Sequence, residues 1–239
     1  HMDLAGAVAL TVFAVVLGLN QVVIKLSNGG FQPIFMAGLR SAFAFLVILA
    51  WMRYRGVHHG IRRDLLFPGL VLGLLFTFEF VCLYLALDYT TVSRASIIFY
   101  SMPVWLTLVA HFVLPGEQMR APRALGLALA MAGVIWVLAK PYEGAEASLF
   151  GDLLALGAAL GWGGIALFLR LHPVSQERPE VQLLWQLGVS MLLLFALAPL
   201  FGPLTRDLAP IHWAGLAFQV LAVASFGYLF WFMLLKIYP

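Results

Sequence analysis

Apolar residues fill the chain in runs long enough to cross a lipid bilayer, and short polar or turn-forming stretches separate these runs. A spanning helix needs about 20 mostly apolar residues, because the hydrocarbon core is about 30 Å thick and a helix rises about 1.5 Å per residue. Gly, Pro, Asn and clustered charges mark the breaks. The pattern predicts eight helices, at about 3–26, 33–52, 65–87, 91–114, 121–140, 149–171, 180–201 and 211–236.

Composition supports the bilayer as the solvent of this chain. Hydrophobic residues make up 63% and charged residues 10% of the 239 residues, and the mean hydropathy is +0.97. Soluble domains carry about 25% charged residues, so this chain could not cover a water-facing surface. Cys82 is the only cysteine, which excludes internal disulfides and a cysteine metal site. We expect an all-α integral membrane protein with no cofactor, no metal site and no nucleic-acid partner.

The basic residues predict the orientation in the membrane, because Lys and Arg favour the cytoplasmic side. Taking alternate breaks, nine of the fourteen lie on one side and four on the other, while Arg40 lies inside a span. The richer side includes Arg53, Arg55, Arg62 and Arg63. We therefore expect a multi-pass protein of the inner or plasma membrane with a cytoplasmic N-terminus.

An internal repeat divides the chain. The segment 17–25 resembles 162–170, with a Gly followed seven residues later by a cation in both, at an offset of 145. This spacing predicts a first five-helix unit over 3–140 and a second over 149–239. Because five is odd, the two units would be inverted relative to each other, as in many transporters. The second unit has three helices here, so we expect ten in the parent protein, with two beyond Pro239.

Short motifs along the chain indicate one family. In order they are Gly18-Leu19-Asn20 with Lys25, Pro33 with Leu39-Arg40, Tyr84 to Thr90, Met102-Pro103-Val104, Leu114 to Glu117, Gly126 to Gly133, Gly161-Trp162-Gly163 and Lys236 to Pro239. Together they resemble the EamA-type exporters of the drug/metabolite transporter superfamily. Leu17 departs from the pattern, since the family usually has Trp there. The resemblance implies ten helices around a central cavity and export of amino acids, other metabolites or drugs, with amino-acid exporters, including aromatic ones, the most similar.

Two charged residues lie inside the predicted spans, where ionisable groups are rare and usually have a role. Arg40 lies about 10 Å deep in the second helix and Glu79 about 12 Å deep in the third, counting about 1.5 Å per residue. At these matching depths the two could pair. One interpretation is a structural ion pair, and the other is a substrate or proton site.

The fourth predicted helix carries a polar stripe. Its members follow one another at spacings of three or four, which places them on one helix face: Ser93, Ser96, Tyr100, Pro103, Thr107 and His111. Pro103 removes a backbone hydrogen bond and can kink the helix. The stripe could line a cavity or bond to neighbouring helices, and His111, near the cytoplasmic end, fits an interfacial histidine.

Further polar and aromatic residues lie deep in other spans. Asn20 and Gln21 on the first helix, Trp162 on the sixth, and Ser225 with Tyr228 on the eighth could contact a solute or only pack. The predicted substrate-binding residues are Asn20, Gln21, Glu79, Ser96, Tyr100, Trp162, Ser225 and Tyr228; structural or coupling roles fall to Arg40, Pro103 and His111. The spacings Gly69–Gly73 and Gly157–Gly161 predict close helix contacts.

These features favour a secondary transporter that exports small metabolites by alternating access, with a small-molecule solute and the lipid bilayer as partners. The sequence has no nucleotide-binding P-loop. It also has no Gly-x-Ser-x-Gly, no His-Glu-x-x-His and no paired Asp in a span, so an enzyme is not expected. A non-transporting membrane scaffold or receptor is the alternative, and the oligomeric state is open.

Overall fold

The computed structural model describes residues 4–57, 63–114, 121–139 and 148–230. Every regular element in these ranges is helical, which confirms the all-α prediction. The α-helices are α1 (Leu4–Asn28), α2 (Pro33–Tyr54), α3 (Leu66–Tyr89), α4 (Val92–Phe99), α5 (Met102–Val113), α6 (Ala121–Ala139), α7 (Leu149–Leu171), α8 (Pro179–Leu197) and α9 (Pro210–Phe218). Short 3₁₀ turns cover Arg63–Leu65, Pro173–Gln176 and Ala198–Phe201, and α9 continues as a π-helix over Gln219–Ser225.

Within the described residues, seven segments are long and apolar enough to cross a membrane: Val8–Asn28, Pro33–Tyr54, Arg63–Tyr89, Val92–Val113, Leu149–Leu171, Pro179–Phe201 and Pro210–Phe230. Helix α6 corresponds to the fifth predicted span, over 121–140, and its apolar stretch is the shorter Ala124–Trp136. The last predicted helix extends to residue 236, and its residues 231–236 lie outside the described residues. Large hydrophobic side chains are exposed around the bundle, as expected where lipid replaces water; they include Val15, Leu46, Phe67, Phe112, Leu129 and Leu192.

One end of the bundle brings together the end of α1, the end of α3 and the start of α7. The Lys25 ammonium donates to the Thr90 carbonyl at 3.1 Å, and the Thr90 hydroxyl donates to Asp152 at 3.0 Å. We name this the Asn28 end, and the opposite one the Tyr54 end. Since α3 ends where α7 begins, α1 and α3 run towards the Asn28 end and α7 runs away from it.

The remaining helices meet the same end. Gln32, the N-cap of α2, donates from its side-chain amide to the Ala198 carbonyl just after α8, at 3.3 Å. His212, in the first turn of α9, lies so close to Gly30 that a Cβ there would clash with its ring. Thus α2 and α9 start at this end and α8 runs towards it. Each of α7, α8 and α9 therefore runs opposite to its counterpart among α1, α2 and α3.

Helix α3 is the most buried span and packs mainly against α7 and α8. Its Gly69 and Gly73 face α8 at very short range: a Cβ added at Gly69 would lie 2.3 Å from the Trp185 ring, and one at Gly73 would lie 2.3 Å from the Val189 Cβ. The predicted close contact at this glycine pair is confirmed.

The contact between α7 and α3 uses the second glycine pair. A Cβ at Gly157 would lie 3.1 Å from the Cys82 sulfur, and one at Gly161 would lie 3.1 Å from the Glu79 Cα. Larger residues would separate the helices, because overpacking forces backbone shifts. The two glycine pairs thus set how closely α3 approaches its neighbours, and Glu79 lies at one of these contacts.

The fourth span is broken near its middle, which corrects the prediction of one helix over 91–114. Helix α4 ends at Phe99, a turn covers Tyr100 and Ser101, and α5 begins at Met102. Pro103 is the physical cause, because it has no N–H to donate to the carbonyl four residues earlier. The Ser101 hydroxyl donates to the Ile98 carbonyl at 2.6 Å and satisfies one acceptor at the break.

Candidate functional site

A cavity of about 440 Å³ lies among α1, α2, α3, α4, α7 and the π-helical part of the last span. Small-molecule pockets have volumes of about 300–1,000 Å³, so the cavity has room for a small solute. Its polar lining consists of the buried Asn20, Gln21, Arg40 and Glu79 and the half-buried Tyr100 and Tyr228. The rest is apolar, with Phe13, Phe80, Leu83, Phe99 and Trp162 among the lining residues.

The cavity brings together most of the residues that the sequence singled out, from six different spans. Seven of them line it: Asn20, Gln21, Arg40, Glu79, Tyr100, Trp162 and Tyr228. Four do not: Ser96, Ser225, Pro103 and His111. Polar atoms in a bilayer are costly unless they face protein or water, and this rule accounts for the polar residues that lie at the cavity.

The polar stripe of the fourth span does not line the cavity as one face. The break after Phe99 changes the direction of the chain, so residues before and after it no longer share a face. Tyr100 lies at the break and lines the cavity, whereas Ser96 is half-buried away from it and Pro103 is exposed. His111 lies on α5, half-buried, with its ring edge against Phe112 at 4.8 Å.

Ser225 also lies outside the cavity, which corrects its pairing with Tyr228. It closes the π-helical segment and lines a separate small pocket with Trp51 and Tyr54 of α2. A π-helix bonds residue i to residue i+5, so a face read at a spacing of three or four is not maintained through it. The Ser225 hydroxyl is buried without a hydrogen-bond partner among the described residues.

Among the described residues, Arg40 is buried beside the cavity without a carboxylate partner. Its guanidinium carbon lies 4.2 Å from the centre of the Phe80 ring, which provides a cation–π contact. Its Nε and Nη1 atoms have no hydrogen-bond partner in the part of the chain that the structure describes. The guanidinium also lies within hydrogen-bonding reach of the Tyr228 hydroxyl.

The ion pair suggested by the matching depths of Arg40 and Glu79 is not formed. Within the described residues, the Glu79 carboxylate has no cation within 4.0 Å and no hydrogen bond. Glu79 lies against α7 at Gly161, while Arg40 is placed over Phe80, so the two groups line one cavity without meeting. The sequence spacing predicted that the two residues lie at a similar depth along their helices. It could not predict the direction in which each side chain points.

The Gln21 amide of α1 belongs to a small hydrogen-bond network at the break of the fourth span. The Tyr100 hydroxyl donates to the Leu17 carbonyl at 2.9 Å, and the Gln21 side-chain amide donates to the Tyr100 oxygen at 3.3 Å. The side-chain oxygens of Gln21 and of its neighbour Asn20 are buried without a donor among the described residues. Two acceptors therefore lie at the cavity wall.

Aromatic rings form another part of the wall. Phe99 and Trp162 are stacked, with ring centres 5.1 Å apart and an angle of 19° between their planes. Tyr100 meets Trp162 edge-on at 6.3 Å. Trp162 was predicted from its depth in the sixth span, whereas Phe99 could not be distinguished from other apolar residues of the fourth. The wall offers flat apolar surface beside the polar groups.

Sequence reasoning missed a buried ion pair at the Asn28 end. In the sequence, Arg94 of α4 is only one of the four cations on the less basic side, but in the structure it is buried and binds Asp152 of α7. Its Nη2 lies 2.5 Å from one carboxylate oxygen and its Nε lies 3.2 and 3.1 Å from the two oxygens. One feature of the sequence could have predicted this pair. Arg94 and Asp152 each lie in the first turn of a span, and the two spans start at the same end of the bundle.

A second ion pair lies at the Asn28 end, nearer the surface of the bundle. Arg206 donates to both oxygens of Asp88 at 2.8 Å and to the Asn28 carbonyl at 2.8 Å. The hydrogen bonds with Asp88 raise the pKa of Arg206 above its ordinary value. Its guanidinium therefore stays charged throughout the physiological pH range. The loops beside it pair at Phe31 and Thr205.

A helical membrane bundle with a polar cavity enclosed by its spans has the architecture of a solute transporter. The chain belongs to the EamA-like transporter family, which matches residues 4–139, more than half of its length. It is thus a multi-pass membrane protein of a transporter family, as the motifs in the sequence predicted.

Individual relatives are distant. The chain is 25% identical over 223 residues to the uncharacterized transporter YoaV of Bacillus subtilis (strain 168), covering 92% of this chain and 75% of that one. It is 28% identical over 178 residues to a probable amino-acid metabolite efflux pump of Escherichia coli (strain K12), covering 74% of this chain and 56% of the pump. The chain thus matches only about half the length of that pump.

A solved crystal structure has a similar fold. It superposes with a TM-score of 0.67 over 97% of this chain and 80% of the other, at 21% sequence identity. The likeness concerns the arrangement of the helices.

Proposed function

We propose that the protein is a secondary transporter that exports small metabolites, above all amino acids or related compounds, by alternating access through the central cavity. One observation carries the proposal: among the described residues, a cavity of about 440 Å³ inside the spans is lined by a buried arginine and a buried glutamate that form no ion pair, and by two amide side-chain oxygens without a donor. Intramembrane polar groups of this kind mark solute pathways.

The family and one relative support the export of amino-acid compounds. A relative from Escherichia coli is a probable amino-acid metabolite efflux pump. The cavity chemistry agrees with such a solute, because amino acids need both a donor and an acceptor of charge-assisted hydrogen bonds.

The helix directions support two inverted units, over 3–140 and 149–239. Helices α7, α8 and α9 run opposite to α1, α2 and α3, and the family match ends at residue 139. Inverted units allow one scaffold to open alternately to either side of the membrane. The excess of Lys and Arg at the Tyr54 end supports a cytoplasmic N-terminus in the inner or plasma membrane.

Transport into inside-out membrane vesicles that contain the protein tests the proposal. Radiolabelled amino acids should accumulate faster than in vesicles without it. Ala14 of α1 lines the cavity and is itself exposed, so Ala14→Trp should fill the cavity and lower the initial rate. Val15→Trp is the matched control, because the neighbouring Val15 faces outward and is 64% exposed.

Two results would contradict the proposal. Equal rates in vesicles with and without the protein, for every amino acid and related metabolite tested, would exclude export of this class. Binding of a solute without any movement across the membrane would instead favour the receptor alternative.

A further inference from the structure

Arg40 is a buried cation for which the described part of the chain supplies no anion. It is 1% exposed, and among the described residues its Nε and Nη1 have no acceptor and no carboxylate lies within 4.0 Å of it. The Tyr228 hydroxyl, a neutral group, lies within hydrogen-bonding reach of the guanidinium. A buried charge without a partner is strongly unfavourable. The Phe80 ring at 4.2 Å offsets part of this cost but accepts no hydrogen bond of the usual kind. An anionic group of a bound solute would provide the missing partner.

Helices α1 and α3 have the opposite requirement to Arg40: their polar groups at the cavity are acceptors that need a donor. The Glu79 carboxylate and the side-chain oxygens of Asn20 and Gln21 are acceptors, and all three residues are at most 5% exposed. The two amide oxygens have no donor, and Glu79 has neither a hydrogen bond nor an ion pair within the described ranges. A group that carries several N–H donors and a positive charge fits this set.

The orientation of the Gln21 amide follows from the bonds of Tyr100. A tyrosine hydroxyl has one proton, and that of Tyr100 is donated to the Leu17 carbonyl at 2.9 Å. Its oxygen can therefore only accept from Gln21, which must present its NH₂ group to Tyr100, at 3.3 Å. The Gln21 oxygen is consequently turned away from Tyr100 and is the acceptor left unpartnered.

Arg40 and Glu79 line the same cavity but form no ion pair with each other. The two groups are more than 4.0 Å apart, yet the charge of Arg40 acts on Glu79. A simple cation would leave Arg40 unpaired, and a simple anion would leave Glu79 unpaired. A solute with one positive and one negative charge satisfies both groups and adds no net charge to the bilayer interior.

The apolar wall indicates what the rest of the solute contains. Phe99 and Trp162 are stacked beside the polar groups, and Tyr100 meets Trp162 edge-on. Aromatic rings bind apolar and aromatic groups by offset stacking and edge contacts. A solute of two charges and an apolar side chain matches the whole lining.

We propose that Arg40 binds the carboxylate of a zwitterionic α-amino acid, that Glu79 and the Asn20 and Gln21 oxygens bind its ammonium group, and that its large apolar side chain lies against Phe99 and Trp162. The inference rests on the proposed function, to which it adds a division of tasks among named residues. No ion pair within the chain competes for either charge in the described residues.

Binding of three probes to the unaltered protein in lipid nanodiscs tests the inference without a mutation. The probes are L-phenylalanine, phenethylamine, which lacks the carboxylate, and 3-phenylpropionate, which lacks the ammonium group. Because each deletion removes a charge-assisted contact, both analogues should bind about tenfold to a hundredfold more weakly than phenylalanine. An analogue that binds as tightly as phenylalanine would overturn the assignment of the corresponding charge.

Two variants assign each preference to a residue. In Arg40→Met, phenylalanine should lose its advantage over phenethylamine but keep its advantage over 3-phenylpropionate. In Glu79→Gln the reverse should hold. Arg206→Gln is the matched control, since it removes a cation outside the cavity and should leave both ratios unchanged. The ratio of two probe affinities within one variant does not depend on the amount of folded protein. An Arg40→Met protein that keeps both affinity ratios would refute the role of Arg40.

The two levels of proposal fail differently. If vesicles accumulate a metabolite but the three probes bind equally or not at all, the zwitterion site is wrong and export stands. If nothing accumulates while phenylalanine binds with the expected ratios, the zwitterion site stands and the transport function is wrong.

Discussion

Arg94 and Arg40 are two buried arginines with opposite surroundings. Arg94, near the Asn28 end, makes three hydrogen bonds to Asp152, and Thr90 donates a further one to the same carboxylate. Arg40, at the cavity, has two nitrogen atoms without an acceptor among the described residues. A charge that is satisfied within the chain holds helices together, whereas one left unsatisfied is available to a ligand. The comparison separates the structural from the functional role of the same residue type.

The largest expected effect on stability comes from removing Asp152, the anion that pairs with Arg94. Asp152→Ala leaves a buried guanidinium without its partner, and we expect a loss of about 3–5 kcal/mol in the free energy of unfolding. Thermal unfolding in detergent, followed by tryptophan fluorescence, measures it. Arg94→Met combined with Asp152→Leu is the control and should recover most of the stability, because no charge remains buried. Equal losses in both proteins would show that the pair does not act through its charge.

The corresponding change at the cavity should have the opposite sign. Arg40→Met removes a buried charge that has no anion among the described residues, so without solute the free energy of unfolding should rise by about 1–3 kcal/mol. The same thermal assay measures it beside Asp152→Ala. A loss of stability similar to that of Asp152→Ala would break the comparison, since it would mean that Arg40 is held by structural contacts.

A smaller effect is expected at Tyr100, which orients Gln21. Tyr100→Phe removes the donor to the Leu17 carbonyl and the acceptor of the Gln21 amide, at a cost of about 1 kcal/mol. Freed from Tyr100, the Gln21 amide can turn its NH₂ group into the cavity, which would weaken phenylalanine binding. Thermal unfolding and the nanodisc binding assay measure the two effects. Unchanged phenylalanine affinity would remove Gln21 from the acceptor set.

The smallest effect is expected at Arg206, which pairs with Asp88 near the surface of the Asn28 end. Arg206→Gln should change the free energy of unfolding by no more than about 1 kcal/mol, because exposed ion pairs contribute little. Raising the salt concentration should reduce even this difference in thermal unfolding. An effect as large as that of Asp152→Ala would show that burial does not determine the strength of these pairs.

The bilayer explains how much of the fold was predictable. Its thickness fixes the length of each apolar run, so helices such as α2 and α7 were located within a few residues. The cost of polar groups in lipid likewise placed Asn20, Gln21, Arg40 and Glu79 inside the bundle. Ser96 and Ser225 were placed wrongly, because a break and a π-helical segment change which residues share a face. The partner of Arg94 depended on packing between α4 and α7, which local spacing does not contain.

The break at Tyr100 and Ser101 has an electrical consequence. Every α-helix carries a macrodipole, equivalent to roughly half an elementary charge of opposite sign at its two ends. A continuous span places both ends at the membrane surfaces, where water and salt screen them. Here the negative end of α4 and the positive end of α5 lie within the bundle, near the middle of the Val92–Val113 segment. The cavity wall thus acquires a local field without an additional ionisable side chain, and the segment remains apolar enough to insert.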